Sequence, residues 1–139
     1  STQTANPIAC AAAVATLDAY EEDGLIENAA AMGVVLRDGL EKLKAKHAVI
    51  SDVRNLGLLA CIELVSDGAT REPLSASFGH GESIAWIKRR VLELGLEVRV
   101  SDHFMLIGPP LSITAEEIAW AMSVLDEIFG EVEGRLKAA

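Results

Sequence analysis

The hydrophobic pattern of the first third of the chain predicts two helices. Asn6 is a suitable N-cap and Pro7 fits the first helical turn, so we expect a first helix at Pro7–Glu22. Its alanine-rich face indicates that another surface approaches it closely. A second helix is expected at Leu25–Lys46, where apolar residues recur at helical spacing, an acidic residue comes early and lysines come late.

The pattern then changes to short apolar stretches that favour strands. Residues Leu58–Val65 alternate loosely and are rich in apolar side chains, which predicts a strand. A preceding strand is expected at Val49–Arg54, with Asn55 and Gly57 bracketing the turn between the two. The polar, turn-rich stretch Ser66–Gly81 is expected to be an exposed loop.

The second half of the chain predicts two more helices and two short strands. A third helix is expected at Glu82–Leu94, with its apolar residues on one face. The segments "LEVRV" and "FMLIG" are expected to be short strands around a turn at residues 101–103. A last helix begins after Thr114, which forms a capping box with Glu117, and runs to about Glu133.

The expected order of elements is therefore α-α-β-β-α-β-β-α. This order predicts an α+β fold in which helices cover a small, mostly antiparallel sheet. No internal repeat, low-complexity segment or linker divides the chain, so residues 1–139 are expected to form one domain.

Composition narrows the class of function. The net charge is −9 and Lys88-Arg89-Arg90 is the one basic triplet, so we do not expect nucleic acid as a partner. No apolar run approaches the ~20 residues of a membrane span. Cys10 and Cys61 lie among small apolar residues, so both are expected to be buried and reduced, which indicates a cytoplasmic protein. The histidines have no metal-ligand spacing, so no metal site is expected.

The residues alone leave the chemistry open. The chain has no G-x-S-x-G, P-loop or G-x-G-x-x-G pattern. Glu63 interrupts an apolar strand. It is either an outward-facing strand residue or a functional carboxylate. Arg54 and Arg99 lie beside turns in strand-like segments. Each is a surface residue, a hydrogen-bond donor to loop carbonyls or a group that grips a carboxylate.

Five motifs in order resemble one enzyme family. They are "STQTANPIACAAAVATLD", "VRNLGLLACIEL", "ATREP", "GLEVRV" and "IGPPLSITAEEI". Together they resemble the C-terminal part of the class III, pyridoxal-phosphate-dependent aminotransferases of fold type I, over essentially the whole chain. The resemblance implies transfer of an amino group between an amine or amino acid and a keto acid.

The resemblance also implies roles for individual residues. Thr2 matches the threonine that hydrogen-bonds the cofactor phosphate, classically in the active site of the neighbouring subunit. Arg99 matches the arginine that binds the substrate carboxylate in some amine–pyruvate members. Arg54 matches the arginine of a "V-R-G-x-G" turn and is expected to be structural. Asn55 replaces the glycine there and tolerates left-handed backbone, so the turn is expected to persist. Asn6 is commoner in ornithine and 4-aminobutyrate members, whereas the setting of Arg99 resembles that of amine–pyruvate members. Because these two hints disagree, the substrate and the subfamily stay open.

Finally, the resemblance implies a C-terminal small domain that lacks its cofactor domain. The family's cofactor lysine lies upstream of the matched segment, and residues 1–24 match the connecting segment and helix from the large domain. We therefore expect no pyridoxal phosphate on the isolated chain and no activity of its own. A large domain, a second subunit or self-association is expected to cover the first helix. The alternatives are a free-standing structural or interaction module with this fold, or a regulatory domain in which Arg99 holds a small carboxylate.

Overall fold

The computed structural model describes residues 5–74, 82–101 and 103–138. The helices of these ranges are α1 (Pro7–Glu22), α2 (Leu25–Lys46), α3 (Glu82–Glu93) and α4 (Ala115–Ala138). The strands are β1 (Ile50–Leu56), β2 (Leu59–Asp67), β3 (Glu72–Pro73), β4 (Arg99–Val100) and β5 (Phe104–Ile107). The predicted α+β class and order of elements are confirmed. Within the described ranges the one addition is β3, a two-residue strand inside the stretch Ser66–Gly81 that was expected to be a loop; residues 75–81 of that stretch lie outside the described ranges.

The strands form one antiparallel sheet in the order β1-β2-β5-β4, and β3 pairs with the far end of β2. The last pair of the β1–β2 hairpin is Leu56 with Leu59, so Gly57 and Leu58 form a two-residue turn. Gly57 has a φ of 56°, a left-handed conformation that glycine adopts without strain. Among the described strands, β4 forms one edge of the sheet.

Helices α2, α3 and α4 cover one face of the sheet. On that face Ile62, Leu64 and Met105 are 0% exposed. They belong to one cluster of buried apolar side chains that includes Leu36 of α2 and Phe129 of α4. The opposite face of the sheet is therefore left for other contacts.

Side-chain caps confirm two predicted helix starts. The Oδ1 atom of Asn6 accepts hydrogen bonds from the N–H groups of Ile8 at 3.0 Å and Ala9 at 3.4 Å. The Glu117 N–H donates to Thr114 Oγ1 at 3.2 Å, and the Thr114 N–H donates to Glu117 Oε2 at 2.9 Å. These bonds satisfy donors that a helix start otherwise leaves unpaired.

Several element boundaries differ from the prediction. Strands β1 and β2 each run two residues beyond their predicted ends, to Leu56 and Asp67. The Leu96 N–H donates to the Val91 carbonyl at 2.9 Å, which ties the chain to the end of α3. The strand expected in "LEVRV" therefore shortens to Arg99–Val100. Helix α4 extends beyond its predicted end to Ala138, because Leu136 still packs against the core. No helix in the described ranges combines the length and apolar character needed to cross a membrane.

Helix α1 lies outside the core. None of its residues is buried, and Ile8 and Leu17 are 81% and 63% exposed. Within the described ranges, nothing buries its alanine-rich face. The prediction that both cysteines are buried is wrong: Cys10 is exposed because it lies on α1, and Cys61 is half-buried because it points away from the helices.

A side-chain amide joins α2 to the hairpin turn. Asn55 Nδ2 donates to the carbonyl oxygens of Gly33 and Gly57, both at 3.0 Å. Arg37 Nε donates to Asn55 Oδ1 at 2.8 Å. Asn55 is a strand residue paired with Ala60 and has no positive φ. The turn does persist, but the expected reason is wrong: it depends on these hydrogen bonds and on the left-handed backbone of Gly57.

Candidate functional site on the open face of the sheet

The sheet face that points away from the helices carries a row of side chains from four strands. Arg54 of β1 pairs with Cys61 of β2, Cys61 pairs with Leu106 of β5, and Leu106 pairs with Arg99 of β4. Residues on either side of Cys61 and Leu106 are buried, as in a sheet with one covered face. We call these four residues the arginine row and their side of the sheet the open face.

Arg99 lies at one end of the row, on the edge strand. Its side chain is exposed, whereas its neighbour Val100 is 4% exposed and belongs to the core. Within the described residues, Arg99 forms no ion pair; the nearby Asp102 lies outside them. A groove of about 430 Å³ beside it is lined by Lys88 and Glu97, among others. The Arg99 guanidinium is therefore accessible to a ligand.

Arg54, at the other end of the row, is engaged by carboxylates. Its Nη2 atom lies 3.5 Å from Glu63 Oε2, and its Nε atom lies 3.7 Å from Asp52 Oδ2. Glu63 also accepts a hydrogen bond from Arg71 at 2.8 Å, and Asp52 accepts one from Lys44 at 3.1 Å. Arg54 is thus part of an ion-pair network, whereas Arg99 has no ion pair with any residue that the structure describes.

The cations of this network keep both carboxylates charged. The hydrogen bond from Arg71 lowers the pKa of Glu63, and the charges of Arg71 and Arg54 act in the same direction. The hydrogen bond from Lys44 lowers the pKa of Asp52. Around the open face, Lys44, Lys88 and three arginines (Arg54, Arg71 and Arg99) meet three carboxylates (Asp52, Glu63 and Glu97), on a chain whose net charge is −9. This locally positive surface favours an anionic ligand.

The end of the open face beside the hairpin turn is apolar. Leu56 and Leu59 are 85% and 57% exposed. The segment that follows β5 is fixed by Asn28 of α2, whose Nδ2 donates to the carbonyls of Leu111 at 2.7 Å and Ile113 at 3.1 Å. We call Leu56 and Leu59 the apolar rim, which adjoins the arginine row.

The structure brings some of the sequence-predicted residues together and leaves one aside. Arg54 and Arg99 share the row but lie three strand spacings apart, about 14 Å between Cα atoms. Thr2 lies outside the described residues. Sequence reasoning missed Arg71, which reaches Glu63 from a loop, and Leu106. The alternation of core-facing and outward-facing positions in "FMLIG" is the signal that places Leu106 on the face opposite the core. The cross-strand neighbours of Leu106 depend on strand register, which that alternation does not give.

The lysines lie on helices rather than on strands. They are Lys42, Lys44 and Lys46 of α2, Lys88 of α3 and Lys137 of α4. Lys44 pairs with Asp52, and Lys46 pairs with Asp126. The described sheet therefore offers groups that bind anions but no lysine that projects from a strand.

Known proteins match most of this sequence along one part of their own length. Residues 1–129 match the family model described as aminotransferase class-III. The acetylornithine aminotransferase of Caldanaerobacter subterraneus subsp. tengcongensis is 35% identical over 133 residues, covering 95% of this chain and 30% of that protein. The taurine–pyruvate aminotransferase of Bilophila wadsworthia is 35% identical over 125 residues, covering 88% of this chain and 27% of that protein.

A solved structure has the same fold. It is the taurine:2-oxoglutarate aminotransferase from Bifidobacterium kashiwanohense, in complex with PLP and glutamate, with a TM-score of 0.85 and 28% identity. The match covers 92% of this chain and 29% of that one, so the chain spans less than a third of the length of the relatives it matches. The family match over most of the sequence and the shared fold show that this chain belongs to the class III aminotransferase family.

Proposed function

We propose that this chain is the C-terminal small domain of a pyridoxal-phosphate-dependent aminotransferase. The whole enzyme would move an amino group between an amine or amino acid and a keto acid. In this proposal residues 1–24 are the connecting segment and helix from a large domain. The short span of the chain relative to its relatives, and the lack of buried residues in α1, support this arrangement.

The observation that carries the proposal is the accessible guanidinium of Arg99 at the edge of a locally positive sheet face. Arginine presents two parallel N–H donors in a fixed plane, which matches the two oxygens of a carboxylate. In the proposed enzyme Arg99 binds the substrate carboxylate and orients the substrate. Arg54 stays within its ion pairs and supports the sheet.

Pyridoxal phosphate would supply the electron sink that lets the amino group leave one substrate and join the other. The described residues fit an anionic partner but provide no lysine from a strand to attach a cofactor covalently. We therefore assign the covalent attachment to the large domain. Thr2 is assigned to the cofactor phosphate on the family resemblance alone.

The same proposal names the partners. The large domain and a second subunit cover α1 and the apolar rim of the open face. The isolated chain has no catalytic activity, because the attachment point of the cofactor is elsewhere. Both cysteines are free, which supports a cytoplasmic location.

The test is Arg99→Ala in the full-length protein loaded with cofactor. We expect KM for carboxylate-bearing substrates to rise far more than KM for simple amines, by the equivalent of at most about 2–5 kcal/mol in substrate binding. Arg54→Ala is the matched control, since it removes an arginine from the same row that is engaged by Glu63.

Equal effects of Arg99→Ala on both substrate types would remove Arg99 from the carboxylate site. A reading frame that starts just ahead of Ser1, with no upstream segment that bears the cofactor lysine, would instead favour the free-standing structural module.

A further inference from the structure

A groove between α2 and β1 lies at the edge of the sheet opposite Arg99. Strand β1 is the first strand in the order of the sheet, and β4, which carries Arg99, is the last. The groove has a volume of about 330 Å³, at the small end of the range for small-molecule sites. We call it the α2–β1 groove, and its lining residues are Arg37, Leu40, Glu41, Val53, Arg54 and Asn55.

Two opposite charges line this groove without pairing. Arg37 and Glu41 lie one turn apart on α2, a spacing at which an arginine and a glutamate can form an ion pair. Within residues 5–74, 82–101 and 103–138, neither side chain forms an ion pair with any other residue. As far as the structure describes the chain, the groove therefore presents one cation and one anion that are both unpaired.

A side-chain amide holds the guanidinium of Arg37 in place. Arg37 Nε donates to Asn55 Oδ1 at 2.8 Å, and Asn55 Nδ2 donates to the carbonyls of Gly33 and Gly57. A charged N–H group bonded to an oxygen that is itself fixed gains more than an exposed ion pair between neighbouring helical turns. This explains why Arg37 does not turn to Glu41. The Nη groups of Arg37 form no hydrogen bond with a described residue and are available to a ligand.

The third charged residue of the groove is already engaged. Arg54 lies 3.5 Å from Glu63 and 3.7 Å from Asp52. These carboxylates are in turn paired with Arg71 and Lys44. The charges on the β1 side of the groove are thus satisfied by one another.

The remaining charged residues of this part of α2 line a different groove. Asp38 and Lys42 line the groove between α2 and α4. A simple anion in the α2–β1 groove would therefore bind Arg37 but face the carboxylate of Glu41, and a simple cation would face the reverse. A ligand that carries both charges avoids this conflict.

The groove also offers apolar surface. Leu40 is 1% exposed and Val53 is half-buried. An apolar group placed against them gains from leaving water. A third charged group placed there would lose water without gaining a partner.

We propose that the α2–β1 groove binds a free α-amino acid with an apolar side chain. The ligand carboxylate accepts hydrogen bonds from the Nη groups of Arg37, and the ligand ammonium group donates to the carboxylate of Glu41. Both ligand groups are attached to the same carbon atom, and side chains one helical turn apart have Cβ atoms about 5–6 Å apart, so one small molecule reaches both. The site lies on this chain alone and does not depend on the proposed function.

The experiment compares L-leucine with two analogues that each lack one of its charges. L-Leucine, 4-methylpentanoate and 3-methylbutylamine are titrated into the 139-residue chain while NMR follows the arginine Nε–H groups. We expect a saturable shift at Arg37, with L-leucine binding about tenfold more tightly than either analogue. An analogue that binds as tightly as L-leucine overturns the proposal, because one charge then suffices.

A variant without the anion tests the second contact. Glu41→Gln changes an exposed position of α2, so we expect the fold to persist. It should weaken L-leucine binding about tenfold and leave 4-methylpentanoate binding at least as strong. Asp38→Asn is the matched control, because it removes the same charge from an exposed position of the same helix and should leave L-leucine binding unchanged.

Three further results contradict the proposal. Equal effects of Glu41→Gln and Asp38→Asn would show a general charge effect instead of a contact. A shift confined to Arg99 would place the ligand in the arginine row. The absence of a saturable shift at Arg37 up to the solubility limit of L-leucine would show that the groove binds no amino acid of this kind.

Discussion

Gly33 is the residue at which α2 and the hairpin turn meet backbone to backbone. A Cβ atom at this position would lie 2.7 Å from the Cα and carbonyl carbon atoms of Gly57. Backbone atoms cannot move aside as the end of a flexible side chain does. The register of α2 against the turn, and hence the position of the apolar rim, therefore depends on this glycine.

Gly33→Ala is accordingly expected to destabilise the fold by about 1–3 kcal/mol, as overpacking does elsewhere. Gly130→Ala is the matched control, because a Cβ at that exposed position of α4 meets nothing within 4 Å. The control should stabilise the protein by about 0.5–1 kcal/mol, since alanine restricts the unfolded chain more than glycine does. Urea unfolding measures both, and a Gly33→Ala variant as stable as the wild type would contradict the close approach.

Local signals in the sequence predict some residue roles and miss others. Asn6 and Glu117 are predictable because each acts on backbone groups two or three positions away. Asn55 contacts Gly33, 22 positions earlier in the chain, and Arg71 contacts Glu63 across a loop. Such partners depend on how elements pack, and a single sequence carries no local pattern for them.

The C-terminal end of α2 is held to α4 by charged groups. Lys46 Nζ lies 2.6 Å and His47 Nε2 lies 2.8 Å from the two carboxylate oxygens of Asp126. His47 itself is only 4% exposed. The hydrogen bonds from Lys46 and then His47 lower the pKa of Asp126 below its ordinary value of 3.8.

The pairing of Asp126 with Lys46 and His47 predicts how acid changes the stability of the fold. Because the pKa of Asp126 is lower in the folded state than in the unfolded one, its contribution to stability is present above the unfolded value and is lost as pH falls through the folded one. We expect the difference in unfolding free energy between wild type and Asp126→Asn to be fully present at pH 6 and to shrink as pH falls below the ordinary value of 3.8. Asp38→Asn, at an exposed position of α2, is the control. A difference that stays constant with pH would rule out the coupling.

The lengths of elements were harder to predict than their order. The β4 strand is short because the chain stays hydrogen-bonded to the end of α3 up to Leu96. The β3 strand forms because β2 extends to Asp67, so that Glu72 and Pro73 can pair with its end. Both outcomes follow from pairing between segments, whereas helical and alternating periodicity reports only on each segment alone. The arginine row depends on pairing in the same way, so the sequence predicted its two arginines but not their alignment.

The isolated chain exposes apolar surface that we expect to drive self-association. Val14 and Leu17 of α1 are 57% and 63% exposed, and Leu56 beside the open face is 85% exposed. The net charge of −9 opposes contact between copies, so association should strengthen as salt screens that charge. Sedimentation over a range of protein and salt concentrations tests this. The double substitution of Val14 and Leu17 by Glu should keep the chain monomeric, and a wild type that stays monomeric throughout would contradict the prediction.

The isolated chain is also expected to leave pyridoxal phosphate without a covalent link. All five lysines lie on helices, and Lys42, Lys46, Lys88 and Lys137 are exposed to solvent. A lysine that forms such a link at neutral pH needs a desolvated or electropositive setting. Borohydride reduction followed by peptide mass spectrometry measures the link. Stoichiometric labelling of a single lysine would show that the chain contains an attachment site after all.

The position of Arg99 on a two-residue edge strand has a consequence for how its variants behave in the test tube. Within the described strands nothing pairs with the outer side of β4. Charged side chains on such an edge discourage other chains from adding a strand to it, and apolar ones invite intermolecular β-sheet. Replacing Arg99 by a small or apolar residue thus removes a barrier to aggregation along with a ligand contact. Variants at this position are therefore best compared by activity per soluble, monodisperse molecule, and Arg99→Gln is a safer replacement than Arg99→Leu.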